Sequence, residues 1–299
     1  MEPIPEKDFA WCTTEELAAL LATTAAGQEI KPERFDKGYI LEVDLDYPAE
    51  LHDAHREYPL APERLRCSAE EPSPYLEGLR DQYGVRASGS EKLVPNFHPK
   101  ELYVVYWKNL NYYVSKGLRV TAIHRAVSFT ESAWLRPYVE LNTRLRHGAK
   151  STQERDLFKL LNNALYGKTI ENLKNRSDII LTRSAEEFTR QSDRPHCRNA
   201  KLFTATLGAV DLRKTKVMIN RPFSAGFVVL DVSKLLMNKA HDYFKHRYQE
   251  AAQLLYTDTD SLIYHIQIPN LFGDLYDTGR TSSTSATCLQ RLHTSTCNG

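Results

Sequence analysis

Cysteine is scarce and unpatterned in this 299-residue chain. The five residues, Cys12, Cys67, Cys197, Cys288 and Cys297, are scattered, odd in number, and include no Cys-x-x-Cys pair. That argues against a disulfide-stapled secreted scaffold and a thiolate metal cluster, and reads as free thiols in a reducing intracellular compartment, with cytoplasm and nucleus left open. Long apolar runs are also missing. No segment approaches the roughly 18 consecutive apolar residues of a membrane-spanning helix. The acidic amino terminus lacks the apolar core of a signal peptide, so no membrane partner is expected. Charge imbalance is absent too: 39 Lys and Arg face 38 Asp and Glu, a net charge of +1. Any nucleic-acid surface is therefore a local patch, with Arg144, Arg146, Lys150 and Arg155 as one candidate and Arg213, Lys214 and Lys216 as another. There is no phosphate-cradling G-x-x-x-x-G-K-[ST] loop and no Ser-His-Asp signal.

What is present is a concentrated acidic turn. Tyr256-Thr257-Asp258-Thr259-Asp260-Ser261 lies between the apolar runs Leu254–Tyr256 and Leu262–Tyr264. Asp and Thr tolerate turn conformations and the flanks favour strands, so the spacing predicts a β-hairpin tipped with carboxylates. Such crowding is repulsive unless a cation offsets it, and Mg²⁺ takes one or two protein carboxylates together with substrate phosphates. Acids also alternate with apolar residues in Glu42-Val43-Asp44-Leu45-Asp46-Tyr47-Pro48, which places Glu42, Asp44 and Asp46 on one face of a strand. A third segment, Lys159-Leu160-Leu161-Asn162-Asn163-Ala164-Leu165-Tyr166-Gly167, lies in a helical pattern from about Thr152. Its Lys159, Asn163 and Tyr166 share one helix face, offering a cation, an amide and a ring to a triphosphate, a sugar and a base.

The rest of the chain gives a coarse layout. Strands are expected over 38–47, 101–107, 118–129, 179–182, 201–210 and 215–220. Helices are expected over 50–57, 109–116, 137–149, 152–172 and 224–248, and 59–90, rich in Pro, Glu and Ser, reads as a loop. Strands and helices without regular βαβ repeats indicate an α+β fold. His52 and His55 stand three apart on a helix, but no further ligand lies at metal spacing, so they read as structural. Tyr103, Tyr106, Trp107, Tyr112 and Tyr113 read as core rather than base-stacking residues.

The three segments, in this order, resemble motifs A, B and C of family B DNA polymerases, in the form found in organellar, viral and mobile-element members, many of them protein-primed. YTDTDS matches the family's Y-x-D-T-D-S, and KLLNNALYG matches K-x3-N-S-x-Y-G except that Ala164 replaces Ser. The likeness extends through Gly38–Glu63, Lys92–Arg125 and Arg221–Met237, and covers residues 1 to about 275. Motif A departs from the family's D-x2-S-L-Y-P. Five residues before Tyr47 stands Glu42, and three before stands Asp44. Asp44 matches the ligand type and is assigned to the role, with Glu42 as its alternative.

The resemblance implies a polymerase palm (an antiparallel sheet with helices) plus helical fingers, without exonuclease and thumb domains. It implies an N-terminal extension over 1–37, a first palm segment with an inserted subdomain over 38–130, fingers helices over 131–177, a second palm segment over 178–275, and a disordered or aberrant Ser/Thr-rich tail over 276–299. It implies Asp44, Asp258 and Asp260 as catalytic residues, with Asp44 and Asp260 holding two Mg²⁺ ions. Tyr47, Lys159, Asn163, Tyr166 and Gly167 are implied to form the deoxynucleotide site. Expected partners are a DNA primer-template, deoxynucleoside triphosphates and a terminal priming protein. The rival expectation is a decayed remnant that binds nucleic acid or a partner without catalysis.

Overall fold

The computed structural model describes residues 2–66, 74–84, 91–258 and 261–281. In chain order its regular elements are β1 (Ile4–Trp11), α1 (Thr14–Ala25), β2 (Lys37–Asp46), α2 (His52–His55), β3 (Glu63–Leu65), α3 (Pro74–Tyr83), β4 (Lys92–Val94), β5 (Lys100–Tyr106), α4 (Trp107–Ser115) and β6 (Arg119–Ser132). There follow α5 (Arg136–Gly148), α6 (Thr152–Thr169), β7 (Ser177–Thr182), α7 (Ala185–Ser192), β8 (Cys197–Thr204), β9 (Leu207–Arg213), α8 (Phe223–Tyr248), β10 (Ala252–Asp258), β11 (Ser261–Ile266) and α9 (Leu271–Thr281). The fold is α+β, as expected. The described residues divide into two units, one within 133–229, the other within 2–132 and 230–281.

The larger unit is built on an antiparallel sheet of order β1-β6-β2-β5. Period-two patterning drives it: Leu41, Val43 and Leu45 point into the core with Val105 and Val120, under Leu110 and Tyr113 of α4 and Leu17, Leu20 and Leu21 of α1. Thr13 caps α1 in a reciprocal box with Glu16, which satisfies end donors that water would otherwise take. The amino-terminal residues thus contribute an edge strand and a covering helix. Tyr106 and Tyr113 are fully buried, in line with a core role. The buried Asp231 of α8 accepts the Tyr106 N–H at 2.9 Å, at the start of α4, and burial raises its carboxyl above the usual range.

β10 and β11 form a separate two-stranded ladder rather than extending the sheet that holds β2. Both neighbours of β2 are already taken, by β5 and β6, so no ladder position beside it is open to the hairpin. Side chains anchor it instead. Leu254 N–H donates to Glu57 Oε2 at 3.2 Å, Lys245 Nζ to the Ala252 carbonyl at 3.0 Å, and His241 Nδ1 lies 2.6 Å from the Tyr264 hydroxyl.

The smaller unit joins α5 and α6, the sheet β7-β9-β8 and α7. At the end of α6, Thr169 and Ile170 press on Gly226 of α8 and leave no room for an added Cβ.

Three expectations change. The expected strand over 201–210 is two strands, β8 and β9, because Thr204-Ala205-Thr206-Leu207 turns the chain back on itself. Residues 215–220 form no strand, for they pair with nothing among the described residues. The expected loop over 59–90 holds β3, which pairs with β4, and α3. Within it, 67–73 with Cys67 and 85–90 lie outside the described residues. Of the expected tail, α9 continues to Thr281, and 282–299, with Cys288 and Cys297, lies outside them. Cys12 and Cys197 are free thiols.

Candidate active site

The face of the four-stranded sheet opposite Leu41, Val43 and Leu45 carries the acids expected of motif A. Alternation along β2 sends Glu42, Asp44 and Asp46 to the side opposite Leu41, Val43 and Leu45. The two candidate ligands sit in different surroundings. Glu42 is clamped by Arg125, whose Nε and Nη2 donate to Oε2 and Oε1, both at 2.7 Å. This guanidinium holds the Glu42 carboxyl below the usual carboxylate range. Asp44 receives one donor on each oxygen. The Leu102 N–H reaches Oδ1 at 2.8 Å, and His124 Nε2 lies 2.8 Å from Oδ2. The Leu102 N–H is the main force holding the Asp44 carboxyl low, with burial pushing it up and the His124 ring adding to the lowering.

These contacts arise from irregularities in both neighbouring strands. From Leu41 to Leu45, β2 advances four residues while β6, from Ala126 to Val120, advances six. The two extra residues fall at Thr121 and His124, so His124 and Arg125 are consecutive exposed residues where strict alternation would bury one. On β5, the register slips by one residue between Tyr103 and Lys100. There Leu102 adopts φ +52°, the left-handed region that β-bulges usually give to glycine. That backbone costs a leucine about 1–2 kcal/mol. All three displaced residues meet Asp44, the third through the Thr121 hydroxyl, which donates to the Asp44 carbonyl at 3.3 Å.

Tyr47 follows the inward parity of β2. The residue is only 4% exposed, its hydroxyl lies 2.7 Å from His55 Nδ1, and its ring packs edge-on against Phe97. Burial raises its phenol above the usual range. His52 stacks on Phe97 at 4.4 Å, so both histidines of α2 serve the core around Tyr47.

In the hairpin, Asp258 pairs with Ser261, whose hydroxyl donates to the Asp258 carbonyl at 3.0 Å. Asp260, with Thr259, lies outside the described residues. Among the described residues, no group of three or more His, Cys, Asp or Glu is gathered to hold a metal ion.

The motif B residues belong to the smaller unit. Ser151 caps α6, which carries Lys159 and Asn163 exposed, Tyr166 half-buried, and Gly167 exposed with open space where a Cβ would project. Arg144, Arg146, Lys150 and Arg155 are exposed in the same unit, as are Arg213, Lys214 and Lys216, with Lys214 paired to Asp178 at 2.8 Å. The larger unit thus gathers Glu42 and Asp44 on one face, with His124, Arg125, Thr121 and Leu102 as residues the sequence reading did not single out. Among the described residues, no helix is long and apolar enough to cross a membrane.

Comparisons place these elements in a family. No curated protein sequence matches the chain. Among solved structures, the chain is similar to phi29 DNA polymerase complexed with primer-template DNA, at TM-score 0.46 and 10% identity over 92% of this chain and 37% of that one. It is also similar to phi29 DNA polymerase complexed with single-stranded DNA, at TM-score 0.43 and 11% identity with the same coverage. The chain therefore spans 37% of the length of those polymerases. The family described as DNA polymerase type B, organellar and viral, matches residues 51–246, from the turn after β2 through motif B and most of α8. By that match, over well more than half of its length, the chain belongs to the organellar and viral type B DNA polymerases.

Proposed function

We propose that this chain carries out template-directed addition of deoxynucleotides to a 3′-hydroxyl, in the replication of a virus-like or mobile element. The observation that carries the reading is Asp44: a half-exposed carboxylate on the sheet face opposite the core, in the segment that resembles the family's motif A, met by three residues displaced from two neighbouring strands. Asp44 is the motif A acid in this reading. Glu42, with both oxygens engaged by Arg125, is left as a structural ion pair.

The donor set suits a hard divalent cation. A carboxylate has about four lone-pair sites, and the two donors to the Asp44 carboxylate, the Leu102 N–H and the His124 ring, leave about two of them. Mg²⁺ is usually held by one or two protein carboxylates with waters and substrate phosphates, so a sparse cluster is compatible with it. Asp44 and Asp260 are the residues that would hold two Mg²⁺ ions, with Asp258 as the supporting acid. Bound there, the ions supply a lowered pKa for the attacking hydroxyl and neutralisation of charge on the triphosphate. Lys159 offers its ammonium to the triphosphate. Asn163 and Tyr166, one and two turns along α6, bound the sugar and base, and Gly167 leaves the helix surface clear for template. Tyr47, expected at the deoxynucleotide site, is buried with its hydroxyl on His55 and the Leu60 N–H, so in this reading it serves that site from within the core by fixing the turn that follows β2. A DNA primer-template is the macromolecular partner, and priming by a terminal protein belongs to the same reading.

Primer extension with Mg²⁺ at low salt tests this. The expected result is incorporation of the template-complementary deoxynucleotide alone. A folded chain that binds primer-template and incorporates nothing would favour the non-catalytic remnant instead.

A further inference from the structure

We propose that His124 is a positioning residue that sets the Asp44 carboxylate for a divalent cation. This rests on the reading of Asp44 as the cation-holding acid. Sheet geometry leads to it independently of any motif, because β6 bulges at His124 and at Thr121, and β5 bulges at Leu102. A bulge gives up regular ladder pairing and re-aims a side chain or a backbone N–H. Here every re-aimed group arrives at one residue. Leu102 N–H takes Oδ1, the His124 ring takes Oδ2, and the Thr121 hydroxyl takes the backbone carbonyl. Of these, Leu102 acts through its backbone and Thr121 on the Asp44 backbone, so His124 is the side chain that fixes the rotation of the carboxylate.

Glu42, two residues away on the same face, supplies the contrast. Arg125 is the residue opposite it in register, with no bulge needed to bring the two together, and it engages both oxygens in a fork. Both carboxylates take one donor per oxygen, but Glu42 takes both from a single guanidinium whose full positive charge opposes a cation, whereas Asp44 takes them from a backbone N–H and an imidazole, which orient it. Partners of this kind around a metal-holding carboxylate typically change metal affinity 10- to 100-fold when removed.

The test is Mn²⁺ binding to the full chain without nucleotide or DNA, read from the electron paramagnetic resonance signal of free Mn²⁺. Asp44→Asn should abolish the tightest site. His124→Asn, whose amide stops short of Oδ2, should weaken it roughly 10- to 100-fold. His124→Gln, whose Nε2 reaches the place of the histidine Nε2, should restore it to within about threefold. Thermal melts of the two His124 variants should coincide, which separates positioning from folding. His124→Asn and His124→Gln binding alike, or both binding as tightly as the unsubstituted chain, would overturn the inference and leave Asp44 as the ligand. Unchanged Mn²⁺ binding in Asp44→Asn would overturn both the inference and the reading beneath it.

Discussion

Leu102 holds a left-handed backbone so that its N–H can meet Asp44. Leu102→Gly keeps that N–H and removes the steric conflict of about 1–2 kcal/mol, offset by the greater chain entropy of glycine. The variant should therefore melt within about 1 kcal/mol of the parent, measured by urea titration, whereas a loss of several kcal/mol would mean that the leucine side chain, not its backbone, matters. Lys100 is the opposite case. Its ammonium is buried against Glu63 Oε2 at 2.8 Å and also meets Asn96 Oδ1, and burial pulls its pKa below the usual lysine value. Glu63→Ala strands that charge and should cost about 3–5 kcal/mol, and adding Lys100→Met should recover most of the loss. A single variant no less stable than the parent would show that the pair contributes little. At this scale the sequence was partly legible. Alternation showed that Glu42, Asp44 and Asp46 share a face, but not which groups engage each acid. Those around Asp44 come largely from two bulges within one stretch of β6. Two insertions cancel in parity, so Val120 and Ala126 both point inward as they would in an unbroken strand. The pattern therefore carries no trace of His124's displacement.

Elements with strong periodicity or clear turn chemistry were readable: β2, α4, α6, α8 and the β10–β11 hairpin all fall close to their expected spans. The β8–β9 hairpin was not, since Ala205 and Thr206 are weak turn formers and their run of small and apolar residues reads as one strand. Nor did strand propensity reveal that the motif C hairpin would pair only with itself, because sheet neighbours are a tertiary matter. Its attachment through α8 gives a pH prediction. Burial lowers the pKa of His241, which touches Tyr264, and of His55, which touches Tyr47, below the ordinary 6.5. A group with a depressed folded pKa contributes stability above its unfolded pKa and loses it as pH falls through the folded one. The melting temperature should thus drop as pH is lowered from about 7.5 through 6.5 and below, and His241→Gln should flatten that dependence; an identical slope in the variant would contradict the assignment. Near the start of α8, Gly226→Ala forces a Cβ into Thr169 and Ile170. It should cost about 1–3 kcal/mol in a denaturant titration, as overpacking does, and a stability equal to the parent's would show that these contacts relax freely.

For the whole molecule, three short motifs in order carried more of the assignment than composition did. A net charge of +1 says nothing of DNA, and the basic residues near α5 and α6 stand out only once helices place them on an exposed surface. With so little net charge, affinity for primer-template should rest on a few local phosphate contacts, so it should be weak even at low salt and lost at moderate salt. Extension should then be distributive, a few nucleotides per encounter. The central claim is that Asp44 and Asp260 carry nucleotidyl transfer while Glu42 does not. The most direct measurement is single-nucleotide incorporation on a labelled primer-template with Mg²⁺ at low salt, comparing the unsubstituted chain with Asp44→Asn, Asp260→Asn and Glu42→Gln. The account predicts templated incorporation by the unsubstituted chain, a loss on the order of 10³-fold in both aspartate variants, and a change of less than about tenfold in Glu42→Gln. Wild-type rates in Asp44→Asn, or a collapse confined to Glu42→Gln, would contradict it.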